Sequence, residues 1–259
     1  MAGRVKGMRI RVGRAAPWGV AAGLVLGVGV GLGAVSSSAA AVMPPRWVLH
    51  GGYSPAIGPS SFVGGVDNRY FPLHPGTTFH YRGYSAATRQ TDDMAVTRQT
   101  KRILGVRCVV VRDTVSEHGV EVERTFDWYA QDKHGNVWYM GEESLERKNG
   151  RLVRADDSWQ AGVDGARPGV IMRGTPRPGE VYRQEYYPPG GALDQARVLA
   201  AKPSVTVPAG TYQRPLTTVE WSPVEPQLER KYYAPGIGEI EEQVIQGGHE
   251  RFRLVAVTH

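Results

Sequence analysis

Apolar and polar residues alternate with a period of two along most of the chain beyond residue 66, and that period predicts strands. The clearest run is Val120 to Gln131. It puts Val120, Val122, Phe126 and Trp128 on one face and Glu121, Glu123, Thr125 and Asp127 on the other. A polar turn at Lys133-His134-Gly135-Asn136 leads into a second run ending at Glu143, so 123–143 reads as a hairpin. Asn149-Gly150 between Leu145–Lys148 and Arg151–Arg154 predicts another, because a type I′ turn needs positive φ at both central positions. Further strands are expected at Thr77–Tyr81, Val106–Thr114, Ser204–Val207, Thr211–Trp221, Gln227–Tyr233, Glu239–Ile245 and Arg251–Val257. The spacing of Ala192 to Ala201 leaves a helical turn and an edge strand both open. No other stretch after the N-terminal region has the period of a helix.

One unit reads as used twice. Glu123-Arg124 and Tyr129-Ala130 match Glu229-Arg230 and Tyr233-Ala234, and His74-Pro75-Gly76 parallels Arg177-Pro178-Gly179. The expectation is an all-β protein of roughly ten strands. Two similar antiparallel meanders, about 67–160 and 161–259, would form an open or partly closed barrel or a sandwich. Residues 42–66, rich in Pro, Gly and Ser, read as a linker or a draped arm. Residues 1–41 have the form of a secretory signal: a basic start, an apolar run from Trp18 to Val35, and small residues up to Ala39-Ala40-Ala41. Cleavage is expected near Ala41, giving a soluble protein of the envelope or the exterior. An uncleaved anchor is the alternative, and would be the one link to a membrane.

Charge changes the picture little. The formal net charge is +6, of which residues 1–41 supply five arginines and lysines and no acid. The remainder has 26 basic and 25 acidic residues, which leaves no case for nucleic acid. The single cysteine, Cys108, sits among valines and reads as a small buried apolar residue.

No catalytic, metal or cofactor motif has the spacing its chemistry requires. His74 and His80 lack a third metal ligand, and Asp127, Asp132 and Asn136 do not fit a calcium loop. Adjacent acids such as Asp92-Asp93 and Glu142-Glu143 point to opposite faces of a strand. Aromatics are more informative, since Tyr and Trp join a large apolar body to a polar atom. Trp128, Tyr129, Trp138, Tyr139, Tyr232 and Tyr233 fall in the two matched hairpins. They are candidates to line a site for a lipid or glycan, and core packing is the competing account. Arg124 and Arg230 are the candidates to meet an acid group on such a ligand. Arg124 shares the Phe126/Trp128 face, which suggests a wet cavity or a stacked ring.

The stretches Tyr70-Phe71-Pro72-Leu73-His74-Pro75-Gly76-Thr77-Thr78, Val205-Thr206-Val207-Pro208-Ala209-Gly210-Thr211-Tyr212 and Tyr232-Tyr233-Ala234-Pro235-Gly236-Ile237-Gly238 resemble a group of exported bacterial β-proteins. Their architecture is similar to periplasmic lipoprotein carriers and related open β-barrels. The resemblance spans roughly 67–257 and implies a sheet curled around an apolar cavity, with lipid carriage by analogy. Three readings stay open: a non-enzymatic binding or envelope-associated protein, a secreted hydrolase of envelope glycans or lipids, and a structural protein-interaction module.

Overall fold

The computed structural model describes residues 47–85 and 88–259. The apolar run at 18–35 and the Ala41 site lie outside them. Among the described residues there is no α-helix, only 3-10 turns at Pro59–Ser61 and Pro188–Gly190. No helix there is long and apolar enough to cross a membrane.

The strands run β1 (Val66–Asn68), β2 (Phe71–Leu73), β3 (Thr78–Ser85), β4 (Thr88–Ile103), β5 (Val106–Glu117), β6 (Val120–Gln131), β7 (Val137–Lys148), β8 (Arg151–Arg154), β9 (Trp159–Gln160) and β10 (Arg167–Met172). They continue as β11 (Val181–Arg183), β12 (Glu185–Tyr186), β13 (Gln195–Leu199), β14 (Ser204–Val207), β15 (Gly210–Gln213), β16 (Leu216–Trp221), β17 (Leu228–Ala234), β18 (Gly238–Gln246) and β19 (Arg251–Thr258).

One antiparallel sheet dominates, in the order β11-β13-β16-β17-β18-β19-β3-β4-β5-β6-β7-β10-β12, with β8 and β9 added to β7. Its first and last strands, β11 and β12, are separated in the chain by Gln184 alone. The sheet therefore curls into a nearly closed barrel, and Val181–Tyr186 is the seam. The backbone N–H of Gln184 donates to the Asp194 carbonyl (2.7 Å) beside β13, while Pro168 on β10 pairs with Glu185. Seam closure leaves no room at Gly169, where a Cβ would stand 2.1 Å from the Gln184 carbonyl oxygen.

The longest strand, the sixteen-residue β4, carries no sequence signal. Its inward residues include Gln90 and Asp92 and its outward ones Arg89, Thr91 and Asp93, so neither face is apolar at that end. The undecided 192–201 stretch contributes β13, placed between β11 and β16. The 204–221 region breaks at Arg214 (φ 48°), which splits the small hairpin β14–β15 from the barrel strand β16. The Asn149-Gly150 turn has the expected left-handed pair, φ 51° and 81°.

The β1–β2 hairpin caps one end. It reaches the β6–β7 turn through Asn68 Nδ2 to the Gly135 carbonyl (2.7 Å), and its Arg69 carbonyl accepts from Gly236 N in the β17–β18 turn (2.7 Å). Phe71 meets Tyr129 edge-on at 5.3 Å.

Candidate functional site

The hairpins β6–β7 and β17–β18 place their candidate residues on both sides of the barrel wall. On β6 the inward face is the polar one: Glu123, Thr125 and Asp127 are buried, whereas Val122, Arg124 and Phe126 are half-exposed. Arg124 faces outward and donates from Nε and Nη2 to Glu121 (2.7 and 2.9 Å). Trp128 is buried on the same outward face beneath Lys101, whose Nζ lies 3.2 Å from the ring centre. Arg230 is half-exposed between Val219 and Gln243. Trp138 donates its indole N–H to Asp132 (2.9 Å) and meets Phe62 at 6.2 Å. Tyr232 is buried with Lys202 Nζ 5.1 Å from its ring.

Tyr129, Tyr139 and Tyr233 go to the interior. Tyr129 stacks on Tyr139 at 4.9 Å, and Tyr139 meets Trp159 edge-on at 5.4 Å. The Tyr139 hydroxyl lies between two acids, 2.5 Å from Asp127 and 2.9 Å from Glu142. Tyr233 donates to Glu220 (3.0 Å). The structure thus brings three of the eight candidates inside, where they pack and hold a buried polar network, and leaves both arginines outside.

That network was not legible in the sequence. Its hub is Lys231 on β17, fully buried, with Nζ 2.9 Å from Glu242, 3.6 Å from Glu220 and 3.7 Å from Glu229. Glu220 also accepts from Thr218 (2.7 Å) and from Gln184 Nε2 (3.0 Å), which ties the seam to the hub. Burial pulls the Lys231 ammonium down, but Glu242, Glu220, Glu239 and Glu229 more than reverse this and hold it charged. Carboxyls outnumber it. Burial raises Glu239 to about 7 and Glu242 to about 8, against the partial relief that Lys231 provides. Burial and the neighbouring Asp113, with which it shares a hydrogen bond, push Asp92 well above the carboxylate range. The one available signal was a lysine, in a chain with few of them, set two residues from Glu229 in a strand.

An apolar pocket at the capped end is lined by Phe71, Leu73, Phe79, Tyr81, Met94 and Glu239, and is hardly large enough for one water molecule. Cys108 is buried and its thiol is pushed up to about 12 by burial, as expected of a packing residue.

The arm from residue 47 crosses the seam. Leu49 N donates to Gln195 Oε1 (2.7 Å), and Arg183 donates to the Leu49 and Gly51 carbonyls (both 3.0 Å). Trp47 meets Trp221 at 6.1 Å, with Arg197 4.3 Å over its ring.

On the outer wall His80 links two strands. Its Nδ1 is 2.6 Å from Asp93 and its Nε2 is 3.0 Å from the Thr258 hydroxyl. Among the described residues no three His, Cys, Asp or Glu side chains are placed to hold a metal ion.

No family model matches the chain, and no curated protein does. Two solved structures do. One is a Bacteroides fragilis protein named as exported and YmcC-like in fold, at 14% identity and TM-score 0.39, covering 74% of this chain and 100% of that one. The other is a Parabacteroides distasonis protein named as a lipoprotein, at 13% identity and TM-score 0.39, covering 74% and 99%. Likeness at that level carries no functional argument. The resemblance to lipoprotein carriers gains nothing from either.

Proposed function

We propose that this is an exported, non-enzymatic binding protein of the cell envelope that acts through its outer surface. The observation that supports this is the barrel interior. Its stacked tyrosines and its Lys231–carboxylate hub set packed rings and buried charge inside it, surroundings that disfavour an apolar cargo. A lipid held inside would have to displace buried charge pairs, and breaking one such pair costs about 3–5 kcal/mol. Native mass spectrometry of the protein secreted by its own host tests the proposal. The expected species has lost the residues up to about Ala41 and carries no lipid adduct. A lipid retained at one-to-one stoichiometry would return the argument to an interior carrier.

A hydrolase reading has one observation in its favour, the Asp93–His80–Thr258 chain, whose order of contacts is that of an acid orienting a base beside a hydroxyl. It lies on an exposed strand wall, with the Asp93 side chain half exposed. Turnover of an activated ester that disappears in Thr258→Val would support it, and equal rates in the two proteins would end it.

A further inference from the structure

The balance of charge between interior and surface differs sharply from the composition. Residues 47–259 contain 25 acidic and 25 basic side chains. Fourteen of the acids are buried but only two of the bases, Arg183 and Lys231, so 11 acids and 23 bases remain at or near the surface. The barrel takes its carboxylates in and leaves its arginines out. A chain that is neutral by count over this range presents a basic exterior.

Four arginines, Arg82, Arg89, Arg251 and Arg253, gather on the outer wall of β19, β3 and β4. Arg253 and Arg82 stand directly opposite each other across β19 and β3, both exposed. Two positions along β3, Tyr84 is 43% exposed and is flanked in register by Arg251 on β19 and Arg89 on β4. Arg251 is neutralised by Glu241, with contacts of 2.9 to 3.1 Å. Among the described residues Arg82, Arg253 and Arg89 form no ion pair; Glu241, opposite Arg253 on β18, is held by Arg251. Like charges directly opposite on a sheet are destabilising. Neighbouring strands lie about 5 Å apart and alternate residues about 7 Å apart, so these groups share a patch of about 1 nm around one exposed aromatic ring.

We infer that this wall binds an acidic polysaccharide, with carboxylates on the guanidinium groups of Arg82, Arg253 and Arg89 and a sugar ring against Tyr84. The inference rests on the reading of the protein as one that acts by its outer surface outside the cell. Guanidinium groups match carboxylates in a planar, two-pronged geometry. The outer wall of a barrel is convex, so a flat bilayer touches it along a narrow line, whereas a flexible chain can follow its curve. Single-stranded nucleic acid is the other flexible polyanion. Its binding surfaces offer successive aromatic platforms, and this patch has one.

The test is calorimetric titration of the purified secreted chain with polygalacturonate, at low and at physiological salt. Saturable binding is expected, weakened by salt. The Arg82→Glu/Arg253→Glu double variant should lose about tenfold or more in affinity, given what a hydrogen bond to a charged group contributes. Tyr84→Ala should lose severalfold. A charge-matched control away from the patch, Arg151→Glu/Arg177→Glu, should bind as the parent does. All five positions tolerate change without a buried contact, and equal melting temperatures would verify that each variant is folded. Three results would each overturn the inference: no binding, an equal loss in the control variant, or equally tight binding of a single-stranded oligonucleotide or of anionic phospholipid vesicles. The wall can fail in this assay while the secreted mass still supports an exported protein, so the two proposals are separable.

Discussion

Asp132 shows how a single side chain sets a hairpin. Its carboxylate accepts from the backbone N–H groups of His134 (2.9 Å) and Asn136 (3.0 Å), from Asn136 Nδ2 (2.9 Å) and from the Trp138 indole (2.9 Å). Burial tends to raise its pKa, but these four donors prevail and hold it below the usual value. The acid that superficially suggests a calcium ligand is thus saturated by its own turn. Asp132→Ala strands two turn amides and the indole. A cost of about 2 kcal/mol, seen as a fall of about 6 °C in melting temperature, is expected by calorimetry. That a polar turn joins β6 to β7 is readable from Lys133-His134-Gly135-Asn136. The role of Asp132 is not, because its donors become neighbours only when the turn closes.

The decisive element is the seam. β10, β12 and β13 are short; the sequence gives no strand signal for the first two and leaves the third open between a helical turn and an edge strand, because what stabilises them is pairing within the sheet. Closure depends on backbone approach at Gly169, whose missing Cβ makes way for the Gln184 carbonyl. Gly169→Ala forces that carbonyl aside and with it the Gln184–Glu220 contact. A loss of about 3 kcal/mol, or an open barrel with raised proteolysis between residues 160 and 190, is expected. Gly64→Ala, with nothing within 4 Å of its new methyl, is the control and should melt as the parent does. β4 teaches the complementary lesson. Where a strand is polar on both faces, as β4 is from Arg89 to Asp93, it gives no period, since its inner face there serves a charged interior.

At the scale of the molecule, that interior makes stability depend on pH. Asp92 and Glu229 are raised well above their ordinary range, Glu239 to about 7 and Glu242 to about 8, burial being the first cause in each. A raised carboxyl is protonated more readily folded than unfolded. Its contribution is therefore complete below its unfolded value near 4.5 and is lost as pH climbs through the folded value. Lys231 behaves otherwise: its raised pKa keeps its contribution intact throughout this window. The melting temperature is expected to be highest in mild acid and to fall by roughly 5 °C or more between pH 5 and pH 9. Glu242→Gln should flatten that slope. A melting temperature that rises across the same window would mean the carboxyls are solvated and the interior open.

The sequence by itself determined that the chain is all β, antiparallel, and built on tight turns, because a period of two and the left-handed demands of Asn-Gly and Pro-Gly corners are local properties. It also located the hairpins at 123–143 and 229–242, which pair as β6–β7 and β17–β18. It did not determine which face of each strand points inward. The alternation on β6 separates polar from apolar without saying that the polar side goes in. Only closure of the barrel decided that, by enclosing Glu123 and Asp127 and setting Lys231 between carboxylates of β16 and β18. The same closure sorted acids from arginines, turning a neutral composition into a basic surface. Burial is a property of the whole enclosed volume, and no window along the chain contains it.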